Sequence, residues 1–63
     1  LYMVLARQFD ARQLKVSDEV LNYITTRIER SFEAANNAVE KIDKLSLQEK
    51  RNITIPLVKN VIG

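Results

Sequence analysis

The stretch TRIERSFEAANNAVEKID, residues 26–43, decides how this chain folds. Ser31 belongs to the residue types that cap the start of a helix, and apolar residues follow it at spacings of three and four. The pattern predicts a long helix, from about residue 31 to about residue 50, with one buried face. The residues on that face are Phe32, Ala35, Val39 and Ile42, with Ala38 beside them.

Three shorter helices are predicted around this one. The first covers residues 1–13, and the second begins at Ser17, whose hydroxyl can accept a hydrogen bond from the first turn. The fourth follows Thr54, another capping residue, and Pro56 falls in its first turn, where a missing N–H is tolerated. Apolar residues share one face of the first two helices: Leu1, Leu5 and Phe9, then Val20, Ile24 and Ile28.

The chain is poor in turn-forming residues, because Gly63 is its only glycine and Pro56 its only proline. We therefore predict an all-α fold, a bundle of four helices. The segments around Lys15 and Ile53 have similar patterns of apolar and polar residues, and each precedes a helix. We expect these two segments to lie side by side as a minimal two-stranded contact.

The composition excludes several classes of function. The 63 residues suffice for one domain, and the absence of cysteine and histidine removes disulfides, the commonest metal ligand and the commonest general base. We predict no catalytic residue and no metal site. The longest apolar run, residues 1–6, is too short to span a membrane, and a formal charge of +2 is weak support for a nucleic-acid partner. This apolar start, without an initiating methionine, predicts that the chain is part of a larger protein.

The order of the predicted helices and three short motifs carry a resemblance to a known family. The motifs are IERSF at residues 28–32, KID at 41–43 and NITIPLVKNVI at 52–62. Together they resemble the C-terminal lid domain of DnaA-type AAA+ ATPases, and most of all the lid of the Hda-type regulatory relatives in their alphaproteobacterial form. The resemblance covers essentially the whole chain, residues 1–63.

The resemblance implies a four-helix AAA+ lid that folds over ADP or ATP held by a preceding α/β ATPase domain, which is absent from this chain. Hda-type proteins, loaded with ADP and tied to the sliding clamp, promote ATP hydrolysis by the cytoplasmic initiator DnaA and so inactivate it. The implied partners are therefore the α/β domain, DnaA and the clamp, the last through an N-terminal segment that is also absent here. The lid is then a regulatory domain of DNA replication, not an enzyme by itself, and direct DNA binding is not expected.

The resemblance also implies a sensor-2 arginine near the start of the third helix, where it reaches the phosphates. In this sequence Glu33 occupies the matching position, and its carboxylate would repel a phosphate. The candidates for nucleotide contact are instead Arg30, about one turn earlier, and Arg27 beyond it. The alternative, and the commoner arrangement, is that both arginines merely end the second helix, stabilised by its dipole or paired with Glu29 and Glu33.

Other functions fit some of the residues. The junction between the second and third helices resembles a helix-turn-helix in which Asn36 and Asn37 could read adenine, although Glu33 at the helix start disfavours DNA. The aromatic residues could form a stacking platform for nucleic acid, but Phe9 and Phe32 are expected in the core. A truncated lid of a DnaA initiator is a further alternative.

Overall fold

The computed structural model describes residues 1–62, which form the four helices that the sequence predicts. They are α1 (Tyr2–Ala11), α2 (Asp18–Arg27), α3 (Phe32–Glu49) and α4 (Ile55–Ile62). Helix α3 packs against α1 and α4, and α2 packs against the same two helices. The four helices therefore enclose one core, in which each helix has two neighbours.

The starts of three helices follow directly from the hydroxyl residues in front of them. The Ser31 hydroxyl accepts a hydrogen bond from the Ala34 N–H at 3.0 Å, and Ser17 accepts one from Val20 at 3.3 Å. Thr54 caps α4 in the same way, through the Leu57 N–H at 3.4 Å. The predicted caps at Ser17 and Thr54 are confirmed, as is the predicted start of the third helix near Ser31, and each hydroxyl satisfies an N–H of the first turn that has no partner within the helix.

The ends of α1 and α3 are formed by left-handed residues that are not glycine, so the sequence gives no clear signal for them. Gln13 and Lys50 adopt left-handed backbone angles, with φ of 59° and 53°. After α1, the Leu14 N–H reaches back to the Phe9 carbonyl at 2.9 Å, and after α3 the Arg51 N–H reaches the Ser46 carbonyl at 3.1 Å. This is the Schellman arrangement, which usually places glycine at the left-handed position. It ends α1 at Ala11 rather than at the predicted residue 13.

The core contains most of the predicted apolar stripes. Its twelve buried residues come from all four helices and from the connection before α4. They are Leu5, Phe9, Val20, Leu21, Ile24, Ala35, Ala38, Val39, Ile42, Ile53, Leu57 and Val58. Phe32, which we expected among them, is 68% exposed, so its assignment to the core is wrong. The reason lies in its place at the first turn of α3, at the edge of the bundle.

The predicted two-stranded contact between the segments around Lys15 and Ile53 is wrong. Residues 14–17 and 51–54 are non-helical connections, but residues 1–62 contain no strand, and no backbone hydrogen bond joins the two connections. Each connection instead ends in the residue that caps the next helix. Two such short segments gain little from pairing when no further strand extends the sheet. Ile53 contributes to the fold by burying its side chain in the core.

Candidate functional site

An open groove of about 830 Å³ lies where the start of α1 meets the junction between α2 and α3. Nine residues line it, five of them apolar or aromatic and four of them polar or charged. The first group is Leu1, Tyr2, Val4, Ile28 and Phe32, and the second is Thr25, Thr26, Arg30 and Ser31. The groove thus combines an apolar surface with a single charged group.

That charged group is the guanidinium of Arg30, which the tight α2–α3 junction carries beside the groove. Ile28 leaves the helix in an extended conformation, and the Ser31 N–H donates to the Glu29 carbonyl at 2.9 Å, so only four residues, 28–31, separate the two helices. Residues 1–62 form two ion pairs, Arg12–Asp43 and Arg51–Glu49, and neither involves Arg30. A guanidinium without a carboxylate partner, next to a helix start, is suited to binding an anion.

Arg27, the second predicted nucleotide contact, lies outside the groove. Its guanidinium carbon stands 4.7 Å from the centre of the Tyr23 ring, within the range of a cation–π interaction. Arg27 is also the last residue of α2, where the helix dipole favours a positive charge. The structure therefore brings Arg30 to the groove and gives Arg27 a role at the end of its own helix.

Glu33, at the expected sensor-2 position, is exposed in the first turn of α3 and does not line the groove. The helix dipole favours a carboxylate in this turn, so the residue has a structural reason to be there. The Glu33 carboxylate would therefore repel an anion from outside the groove, since it is not among the lining residues.

Phe32 is the groove residue that sequence reasoning missed. With 18 residues α3 is roughly 27 Å long, whereas the two helices that pack against it, α1 and α4, have 10 and 8 residues and span roughly 15 Å and 12 Å. A stripe at helical spacing is therefore longer than the helices available to cover it, and its first member, Phe32, is left in solvent. The signal in the sequence is its position immediately after the Ser31 cap, because a residue in the first turn lies at the edge of a bundle.

Tyr2 connects the groove to the start of α2. Its hydroxyl donates a hydrogen bond to the Asp18 carboxylate, the first residue of that helix. The pKa of Tyr2 is raised above its ordinary value, chiefly because this hydrogen bond favours the protonated phenol, with partial loss of hydration and the Asp18 charge acting in the same direction. The contact holds one side of the groove to α2.

The described part of the chain contains neither a metal-binding cluster nor a helix that could span a membrane. No group of three or more histidine, cysteine, aspartate or glutamate residues within 1–62 could hold a metal ion. None of the helices in that range has the length and apolar content needed to cross a membrane.

Comparison with known proteins places this helix arrangement in a family. The family described as "Hda, lid domain" matches residues 2–62, which include all four helices and every residue of the groove except Leu1. The chain belongs to the Hda lid family.

One curated relative of this Hda lid domain is an uncharacterized protein of Haemophilus influenzae. The two are 41% identical over 52 residues, which is 82% of this chain and 22% of the relative. The chain therefore spans about a fifth of the length of the curated relative that it matches. No solved structure matches it.

Proposed function

We propose that this Hda lid domain closes over a nucleotide held by an α/β ATPase domain of the same protein, and that this protein helps to inactivate the replication initiator DnaA. The observation that carries the proposal is the match of the Hda lid family to residues 2–62. The relative of Haemophilus influenzae is several times longer than this chain, which leaves room for an ATPase domain in a protein of that length.

The chemistry of the groove supports contact with ADP or ATP. Arg30 is the one charged residue among the residues lining the groove, and it precedes the Ser31 cap of α3 directly. The first turn of a helix presents unpaired N–H groups and a partial positive charge, which favour an anion. A guanidinium adds a planar set of donors that fits phosphate oxygens. The Arg30 guanidinium and the first turn of α3 together give this end of the groove a positive potential that would attract the phosphates of a bound nucleotide.

The apolar part of the groove supports contact with a neighbouring domain. Leu1, Val4 and Ile28 are only partly buried, and Met3 on the same helix as Val4 is 62% exposed. Burying apolar surface contributes a favourable free energy of roughly 25 cal/mol per Å², so a domain that covers this surface would be stabilised in that position. An α/β ATPase domain packed on the start of α1 would close the open side of the groove around its nucleotide.

The proposed role assigns no catalytic step to this chain. ATP hydrolysis takes place on DnaA, and the lid contributes by holding the ADP-bound form of its own protein in the shape that engages the initiator. The sliding clamp is the second partner, bound through a segment outside these 63 residues. This role belongs to the cytoplasm, where chromosome replication begins in bacteria.

The test is an assay of ATP hydrolysis by DnaA in the presence of the full-length protein, ADP and clamp loaded on DNA. The wild-type protein should accelerate hydrolysis, and Arg30→Ala should require a higher ADP concentration to do so. Arg7→Ala is the matched control, because Arg7 is an exposed arginine of α1 that does not line the groove. No acceleration by the wild-type protein at saturating ADP and clamp would contradict the proposed role.

Measuring DNA binding by the same protein at several salt concentrations distinguishes this role from that of a helix-turn-helix DNA-binding module. Asn36 and Asn37 are exposed on α3, as a DNA-reading helix would require. A protein that binds DNA directly loses affinity steeply with rising salt, because phosphate contacts release counterions. We expect no such binding in the absence of the clamp.

A further inference from the structure

The exposure of Phe32 calls for a physical explanation beyond the length of α3. Its ring stands two-thirds in water at the edge of the groove, next in sequence to the Ser31 cap and two residues from Arg30. A large apolar side chain is more stable when it is covered. Met3 and Leu47 are the other large apolar residues that are exposed within residues 1–62, at 62% and 70%, but neither of them lines the groove, so Phe32 is the one exposed large apolar residue among those that line it.

The groove offers two distinct kinds of binding surface close together. One is the Arg30 guanidinium, which makes no ion pair within residues 1–62, and the other is the exposed aromatic ring of Phe32. The remaining polar groups lining the groove are the neutral hydroxyls of Thr25, Thr26 and Ser31 together with that of Tyr2. A ligand that satisfies both surfaces has an anionic part and a planar apolar part.

A nucleotide has both parts. Its phosphates match a guanidinium, and its base has a face that stacks on aromatic side chains whatever the base. A volume of about 830 Å³ lies within the range of roughly 300–1,000 Å³ that is usual for small-molecule sites. An acidic carboxylate in the groove would oppose such a ligand, and none of the residues that line it is acidic.

We propose that Phe32 stacks on the base of the nucleotide whose phosphates Arg30 contacts, which makes Phe32 the residue of this lid that recognises the base. The inference rests on the proposed function, because the nucleotide is held by the neighbouring domain. It also gives the α2–α3 junction a reason to be tight, since the ring and the guanidinium must face the same ligand.

The test uses the full-length protein and two probes that differ in the base. The affinity for ADP is measured directly, and the affinity for inorganic pyrophosphate is measured by its competition with ADP. Phe32→Ala should lower the affinity for ADP about tenfold, because stacking on one base contributes about that much. The same variant should leave the affinity for pyrophosphate unchanged. Phe32→Tyr keeps the aromatic face and should bind ADP as the wild type does, whereas Phe32→Leu keeps only the apolar bulk and should remain weak.

The control is Leu47→Ala, which shortens an equally exposed apolar side chain of α3 outside the groove and should change neither probe. The inference would be overturned if Phe32→Ala lowered the affinities for ADP and pyrophosphate equally, or if Phe32→Leu bound ADP as tightly as the wild type. Either result would assign the ring to packing against protein. If Arg30→Ala weakens ADP while Phe32→Ala does not, the inference fails and the proposed function stands. If the wild-type protein binds neither probe, both fail.

Discussion

At the scale of single residues, the groove is built from side chains whose local roles differ from those that the sequence predicts. Arg27 and Arg30 are three positions apart, yet one lies over the Tyr23 ring and the other beside the groove. The sequence identifies both as candidates but cannot separate them, because the division depends on where α2 ends. That end is set by Ile28, which leaves the helix in an extended conformation.

The hydrogen bond between Tyr2 and Asp18 predicts an effect at alkaline pH. Because the pKa of Tyr2 is raised in the folded state, the stabilisation from this contact is fully present below the unfolded pKa near 10 and is lost as the pH rises through the folded pKa. Asp18→Ala removes the acceptor and should lower the pKa of Tyr2 toward its ordinary value. Ultraviolet absorbance titration measures it, with Tyr2→Phe to identify the signal among the two tyrosines. An identical titration curve in Asp18→Ala would count against the contact.

At the scale of helices, the starts were predictable and two of the ends were not. Ser17, Ser31 and Thr54 are typical caps, and all three hydroxyls accept the expected hydrogen bonds. The ends of α1 and α3 were less visible, because Gln13 and Lys50 stand where glycine would normally mark a left-handed residue. Backbone hydrogen bonds and packing impose the turn on residues that do not favour it.

Replacing Lys50 by glycine should therefore stabilise the chain. A left-handed conformation costs a non-glycine residue about 1–2 kcal/mol, and the greater freedom of glycine in the unfolded chain offsets about half of the gain. We expect Lys50→Gly to raise the free energy of unfolding by about 0.5–1 kcal/mol, measured by urea denaturation. The matched control is Lys44→Gly in the middle of α3, which should lower it by about 1 kcal/mol. A loss of stability in Lys50→Gly would contradict the assigned backbone angle.

At the scale of the whole molecule, helical spacing in the sequence predicts the core well and its boundary poorly. The stripe residues Leu5, Ile24 and Ile42 are completely buried, as their periodicity predicts. The same periodicity predicts that Phe32 is buried, which is wrong, because helical spacing in one segment carries no information on where a neighbouring helix ends. The pairing of the segments around Lys15 and Ile53 was wrong for a related reason, since an alternating pattern shows which side chains are buried but not which backbone groups bond. The groove is likewise a product of helix lengths and could not be derived from motifs alone.

A core of this size should respond strongly to the loss of one central side chain. Ile42→Ala removes a fully buried group of α3 and should cost about 2–5 kcal/mol, which is a large part of the stability of so small a domain. Leu47→Ala on the same helix, at 70% exposure, should change the free energy of unfolding by less than about 0.5 kcal/mol. Thermal unfolding of the two variants and the wild type, followed by circular dichroism, compares them. Similar midpoints for the two variants would show that the core is not where the structure places it.

The central claim is that this lid closes over a nucleotide through Arg30, and the affinity of the full-length protein for ADP tests it most directly. Arg30→Ala should weaken ADP binding about tenfold or more, since a hydrogen bond to a charged group contributes about 1.5–3 kcal/mol. Arg7→Ala should bind ADP as the wild type does. Equal ADP affinity in the wild type and Arg30→Ala would remove Arg30 from the nucleotide site and contradict the claim.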